Sequence, residues 1–240
     1  MIVKEKHITM KATRIFTILA LLMVFAVSCN KQDESCNHEY VDLDLPSGTL
    51  WATCNVGADT PEDYGDYFSW GETQTKDYYD WSTYQYCNGN FDQLTKYCDN
   101  STYGYNDYTD NLIMLLPEDD AATANWGSGW HTPSKEEWEE LFHYTTRGWT
   151  TQNGVVGMLF SSSNGSSLFL PAAGCRSDWS TFSVGISGLY WSCSLRTSTN
   201  QRDPYFAWYF NLNYDSGCYF SNYRYHRCYG ISIRPVRSTE

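Results

Sequence analysis

Trp126-Gly127-Ser128-Gly129-Trp130-His131-Thr132-Pro133-Ser134-Lys135-Glu136-Glu137-Trp138-Glu139-Glu140-Leu141-Phe142 carries the clearest helical signature in this chain. Thr132-Pro133-Ser134 supplies a cap and a proline at a first-turn position, and Glu136 and Glu137 suit the positive end of a helix. With Ser134 as the cap, Glu137 completes a capping box. Trp138, Leu141 and Phe142 share one face, and the helix is expected to end near residues 143–146, ahead of Gly148. Around it lie short strand-like segments: Leu50 to Val56 before Gly57, Tyr67 to Trp70 before Gly71, Ser167 to Leu170 before Pro171, and Leu189 to Ser192 after Gly188. Ile231-Ser232-Ile233-Arg234 alternates with period two and is stopped by Pro235. There is no repeat at solenoid or propeller periods. A helix early and strands late in one domain predict an α+β fold.

Residues 1–28 read as a signal peptide: Lys4, Lys6, Lys11 and Arg14 precede an apolar run from Ile15 to Val27 that is shorter than the ~20 residues of a membrane span. Small residues stand before Cys29, which resembles the lipobox cysteine of bacterial lipoproteins. That resemblance implies a lipidated mature N-terminus at Cys29; an ordinary secretory signal with an incidental cysteine is the alternative. Asn30 to Ser35 further resemble the Lys/acidic export signals of surface lipoproteins, which implies a location at the outer membrane, exposed at the cell surface. Residues 29–39 form the anchor and a polar tether around Asn30 to Ser35, and residues 40–240 form the domain.

The whole chain carries a net charge of −12. Removing residues 1–28, with four basic residues and one acidic, leaves 12 basic against 27 acidic, or −15. Such a field repels phosphate backbones and argues against a nucleic-acid partner. After Cys29, eight cysteines remain: Cys36, Cys54, Cys87, Cys98, Cys175, Cys193, Cys218 and Cys228. An even number in an exported chain permits disulfides without fixing their connectivity. Cys87 and Cys98 flank one loop containing Gly and Asn and are the expected local bridge. No Cys-x-x-Cys and no histidine at ligand spacing points to zinc, and no metal or other cofactor is expected. Glu118-Asp119-Asp120 lacks EF-hand spacing and reads as a solvated loop rather than a calcium site.

The tail from Tyr209 to Thr239 contains no Lys, Glu, Gln, Met or Trp. Between Cys29 and Trp208 those five types fill 31 of 180 positions, a frequency that would place about five in the tail. They are also the types that no pyrimidine-ending codon encodes, so the gap is a candidate trace of how the DNA was written.

Asp44-Leu45-Pro46-Ser47-Gly48 leading to Trp51 through Ala58, Pro61 through Glu72, Trp126 through Pro133 with Glu137-Trp138 and Leu141, and Leu170 through Gly174, Tyr190-Trp191-Ser192 and Ile233-Arg234-Pro235-Val236 follow one another in an ordered set. The set resembles the Fibrobacter succinogenes major paralogous domain over about residues 40–237. His131 and Ser134 stand where that family more often has Arg and a second Thr. The resemblance implies a C-type-lectin-like fold, shared with the formylglycine-generating enzymes. The tail is further similar to the variable proteins of diversity-generating retroelements, in which errors at template adenines scatter Asn codons into Tyr, Ser, Cys, His, Arg and their neighbours but never into the five missing types. Because Ile231 to Val236 matches the family's fixed closing strand, the variable stretch is expected to stop near Gly230.

Tyr interleaved with Ser, Asn and Arg is the composition of a binding surface, since Tyr offers large area and a hydrogen bond at low entropic cost. The expected ligand-contacting residues are Tyr205, Tyr209, Asn211, Asn213, Asp215, Tyr219, Ser221, Asn222, Tyr223, Arg224, Tyr225, His226, Arg227 and Tyr229. The expected partner is a protein or glycan at the cell exterior, met by a monomer, with the membrane reached through the lipid. Trp51, Trp70, Trp126, Trp130, Trp138 and Trp191 read as scaffold. Cys218 and Cys228 are the one late cysteine pair, but their spacing does not match the relatives' catalytic pair, and no Ser/His/Asp or Cys/His signature is present, so catalysis is not expected. A carbohydrate adhesin or sugar-processing accessory of fixed specificity, and a structural envelope lipoprotein, are the alternatives.

Overall fold

The capping box forms as the sequence requires. In the computed structural model, Ser134 Oγ accepts from Glu137 N at 3.1 Å and Glu137 Oε2 accepts from Ser134 N at 2.7 Å. The resulting helix, Lys135–Tyr144, is the longer of two α-helices among the described residues; the shorter, Ala121–Trp126, was not legible in the sequence. In chain order the elements are β1 (Tyr40–Asp42), β2 (Leu50–Ala52), α1 (Ala121–Trp126), α2 (Lys135–Tyr144), β3 (Thr146–Gln152), β4 (Val155–Ser161), β5 (Ser167–Pro171), β6 (Cys175–Ser177), β7 (Ser180–Phe182), β8 (Ser187–Leu195), β9 (Ala207–Asn213), β10 (Gly217–Ser221) and β11 (Val236–Arg237). The structure describes residues 38–197, 204–214, 217–221 and 225–239, with Ser221 by its backbone only. The expected signal peptide, Cys29, the tether and Cys36 lie outside the described residues.

The strands pair antiparallel in small sheets ordered β1-β2-β11, β3-β4-β5, β8-β9-β10 and β6-β7. With two helices, this is the α+β class. The sheet β8-β9-β10 separates two hydrophobic clusters because alternate residues point to opposite faces. Leu189, Trp191 and Tyr209 enter one cluster with Phe68, Trp70 and Ile233, whereas Tyr190, Phe210 and Leu212 enter the other with Trp51, Trp138 and Leu141. Trp138 is the contact of α2 with that second cluster: it stacks on Phe210 at 4.9 Å, meets Trp51 at 4.6 Å, and donates from Nε1 to Trp191 O at 3.2 Å. Burying its indole contributes on the order of 5 kcal/mol, so Trp138→Ala is the single change most damaging to the docking of α2.

Three of the sequence-predicted strands shrink. Leu50 to Val56 contributes only Leu50–Ala52, Tyr67 to Trp70 pairs only through Phe68 with Ile231, and Ile231 to Arg234 makes isolated bridges rather than a ladder. The reason is that Ile231, Ser232, Ile233 and Arg234 are all buried, so their alternation does not separate a wet face from a dry one. Arg234 spends its guanidinium on the frame, with Nε donating to Asn55 Oδ1 at 2.9 Å and Nη1 to the carbonyls of Ala52 at 3.1 Å and Thr53 at 2.6 Å.

The acidic triplet is solvated only at Glu118. Asp119 and Asp120 are buried. Asp120 caps α1 by accepting from Ala122 N at 2.8 Å, and it also accepts from Thr132 N at 2.8 Å and Thr132 Oγ1 at 2.7 Å. Asp119 accepts from Tyr86 at 2.7 Å and from Tyr97 and Lys96 at 2.5 Å each. Burial pushes the Asp119 carboxyl up, but these donors outweigh it and hold it below the ordinary value. Both carboxylates are thereby committed to protein donors.

The expected bridge between Cys87 and Cys98 is not formed; both are thiols. Each turns to a nearby carbonyl instead, Cys87 Sγ donating to Trp81 O at 3.1 Å and Cys98 Sγ to Asn100 O at 3.2 Å. Symmetric placement about a loop did not aim the two side chains at one another.

Candidate binding face

The tail residues reach the surface only in part, and the strand pleat decides which. In β9, Tyr209 and Asn211 project from the face that β8 lines with Trp191 and Leu189, and both are buried. Across the ladder Tyr219 of β10 sits opposite Asn211, receives a hydrogen bond from Asn211 Nδ2 at 2.8 Å, and remains 40 % exposed because β10 is the edge strand. Asn213 is half-buried and donates to Ser187 Oγ at 3.0 Å.

Arg227 is the largest departure from expectation: it is 0 % exposed. Its Nη1 donates to the carbonyls of Tyr97 at 2.7 Å and Pro204 at 2.9 Å, and its Nη2 to that of Lys96 at 3.2 Å. The guanidinium also lies over the rings of Trp70 at 5.2 Å and Tyr84 at 5.3 Å. Arg227, Tyr209 and Asn211 are therefore corrected from ligand contacts to structural residues. A cation with five donors, three of them in use by carbonyls of two separate segments, Lys96-Tyr97 and Pro204, cross-ties those segments to its own better than a hydrophobe could.

Around this anchor the remaining tail aromatics form an edge-to-face cluster with a part of the chain that sequence reasoning did not single out. Tyr205 meets Trp81 at 6.4 Å, Phe91 at 5.2 Å, Tyr103 at 5.4 Å and His226 at 5.6 Å. Tyr225 meets Tyr209 at 5.2 Å and Tyr229 at 6.0 Å, and His226 meets Tyr229 at 5.4 Å. Tyr205, Tyr225, His226 and Tyr229 are half-buried, presenting one edge outward. Burial lowers the His226 imidazole, which keeps it neutral at pH 7. The density of aromatics in Tyr78 to Tyr86, five aromatic residues in nine, was the available signal for this second wall. Asp215, Asn222, Tyr223 and Arg224 lie outside the described residues, as does the Ser221 side chain.

The end of the segment is pinned by close approach. A Cβ added at Gly230 would stand 2.6 Å from the Tyr79 ring, and Gly230 exchanges N–H···O bonds with Arg176 at 2.8 and 2.9 Å. Glycine is the residue that lets the backbone approach so closely.

Two other features bear on chemistry. Cys218 packs at the edge of one hydrophobic cluster and Cys228 within the other; burial pushes the Cys218 thiol up to about 11 and raises that of Cys228 as well. Neither is prepared as a thiolate nucleophile. At the domain's first described residues, a cleft of about 270 Å³ is lined by His38, Glu39, Thr53, Cys54, Asp59 and Trp126, with His38 stacked on Trp126 at 3.6 Å.

No family model, curated protein or solved structure matches this chain.

Proposed function

We propose that the protein is a surface-anchored lipoprotein whose C-type-lectin-like domain, residues 40–240, displays a diversified, tyrosine-rich face and acts by binding alone. The ligand is a protein or glycan outside the cell. One observation carries the reading: within a tail lacking Lys, Glu, Gln, Met and Trp, the outward edges of Tyr219, Tyr225, His226 and Tyr229, with Tyr205 just ahead of that tail, are mounted on a base of Arg227 and Gly230. A variable surface needs such a base, because scattered codons can be tolerated only where side chains do not hold the fold. On this reading Arg227, being buried, belongs to the base and not to the variable positions.

The DNA locus tests the diversification. A near-identical repeat nearby that differs only at its adenines, next to a reverse-transcriptase gene, is the expected finding, and its absence removes this part of the proposal. Binding is tested by surface pull-down with Tyr219, Tyr225 and Tyr229 each changed to alanine: capture that survives all three changes counts against the face. Lipidation is tested by Cys29→Ser, which should abolish palmitate labelling and membrane partitioning.

A further inference from the structure

Trp179 is 71 % exposed, more than any other large apolar side chain among the described residues. It stands at the tip of the β6–β7 hairpin, where Ser177 pairs with Ser180 and Asp178 takes φ 52°. An indole left in water forgoes several kcal/mol of burial, on the order of 25 cal/mol per Å², so its position needs a cause. The cause is a hairpin fixed along the outer edge of β6. Tyr79 N donates to Asp178 O at 3.1 Å and Asp178 N to Tyr79 O at 2.9 Å, while two residues earlier Arg176 pairs with Gly230.

Tyr78 lies beside Trp179 with ring centroids 4.8 Å apart and planes tilted by 39°, so two aromatic faces open on one spot. Its phenol hydrogen-bonds the Asp178 carboxylate, and that bond raises it above the ordinary tyrosine value, with Asp80 adding to the effect. The strong N–H donor nearby is turned away from the rings: Arg176 gives Nη1 to Lys76 O at 3.4 Å and Nη2 to Asp77 O at 3.1 Å, and its Nε is buried. Lys76 is paired with Glu72 at 2.7 Å. The carboxylates that act on the Tyr78 ring are Asp178, which takes its hydroxyl, and Asp80, which also accepts from Ser82 N at 2.9 Å, so negative charge outweighs the one nearby guanidinium of Arg176.

An aromatic face bordered by carboxylates fits a ligand that donates only. A sugar ring offers hydroxyls that both donate and accept, and apart from the indole N–H of Trp179 itself the strong donor nearby, Arg176, is turned to backbone carbonyls, whereas a cation also gains the attraction of Asp178. A cation over Trp is the most favourable cation–π arrangement, and the chain's net charge of −12 draws cations toward it. We propose that Trp179 and Tyr78, together with Asp178, form a docking pad for a lysine or arginine side chain of a basic partner protein. The pad stands on residues before the tail, so it holds or fails separately from tail diversification.

The test uses the whole chain in neutral detergent, its ten tryptophans replaced by 5-fluorotryptophan, with the Trp179 ¹⁹F resonance assigned by its loss in W179F. The probes are tetra-arginine, tetra-glutamate and cellotetraose at low salt. Tetra-arginine should shift the Trp179 resonance saturably, and the other two should leave it in place. By calorimetry, W179A should weaken tetra-arginine about five-fold, the worth of one exposed cation–π contact. D178N, which keeps the backbone bonds of the hairpin, should weaken it about three-fold, as for an exposed ion pair. The proposal is overturned if Trp179 is unmoved by tetra-arginine, if cellotetraose moves it instead, or if both variants bind tetra-arginine as tightly as the parent.

Discussion

Replacing Arg227 with alanine should unfold the protein before it affects recognition, and the size of the effect follows from what the guanidinium touches. It makes three hydrogen bonds to carbonyls of Tyr97, Pro204 and Lys96, and it covers the Trp70 and Tyr84 rings. A hydrogen bond to a charged group contributes about 1.5–3 kcal/mol net, and a desolvated cation–π contact about 2. Alanine also returns the guanidinium's desolvation cost, leaves the carbonyls unpaired and opens a cavity, so the net loss should be about 3–5 kcal/mol. At a urea dependence of about 2 kcal/mol per molar, the unfolding midpoint should fall by ~2 M, followed by far-UV circular dichroism. Tyr219→Ala, on the exposed edge strand, should move it by less than ~0.3 M. Arg227→Lys should recover little, because an ammonium cannot span three carbonyls in the plane of the guanidinium fork. If Arg227→Ala leaves the midpoint within ~0.3 M of the parent and instead removes ligand capture, Arg227 is a contact residue and the burial argument fails.

Asp120→Ala should cost about 2–4 kcal/mol, read by the same denaturation, because it removes the α1 cap and leaves Thr132 N and Oγ1 unpaired; a loss under 1 kcal/mol would refute that double role. The His131–Glu137 pair, 3.0 Å apart, should make stability pH-dependent. Burial lowers His131, but the hydrogen bond and charge of Glu137 outweigh it and raise the imidazole above 6.5; burial raises Glu137, but His131 and Ser134 outweigh it and depress the carboxyl below 4.5. The His131 contribution is thus complete below pH 6.5 and lost as pH rises through its raised value, whereas the Glu137 contribution is complete above pH 4.5 and lost as pH falls through its lowered value. The thermal midpoint of His131→Gln should accordingly lie furthest below the parent between pH 4.5 and 6.5, and a gap that does not narrow toward pH 9 would contradict the pairing. Burial pushes the Cys175 thiol up to about 12 from 9.0, so its alkylation by iodoacetamide at pH 8 should run about a thousand-fold slower than that of a free thiol. Cys87 and Cys98 should each alkylate, without reductant, once the chain is denatured; mass spectrometry showing them joined would restore the bridge.

The α2 helix was legible because its signals are local: a cap, a proline, acidic residues and one apolar face all fall within three turns, and Ser134, Glu137, Trp138 and Leu141 behave as read. Strands β5 and β8 were legible from their apolar runs and flanking Pro171 and Gly188. Strands β3 and β4 were not, since Thr146–Gln152 is polar and largely exposed, and its pairing depends on a neighbour rather than on its own pattern. In the tail, composition pointed to a surface, and Tyr219, Tyr225, His226 and Tyr229 present edges there. The same composition could not separate those residues from Arg227, because an arginine among tyrosines looks identical whether it faces water or three carbonyls 130, 131 and 23 positions away.

By itself the sequence determined the α+β class, the start and end of α2, the strongly acidic balance, and the boundary of the compositional gap, all of which rest on neighbours in the chain. Only the tertiary structure decided that Asp119 and Asp120 are buried clamps, that Cys87 and Cys98 stay thiols bonded to separate carbonyls, and that Arg227 supports the tail from within while Trp179 stands in water. Those outcomes depend on partners distant in sequence, and which partner arrives is set by how the two hydrophobic clusters close around β8 and β9.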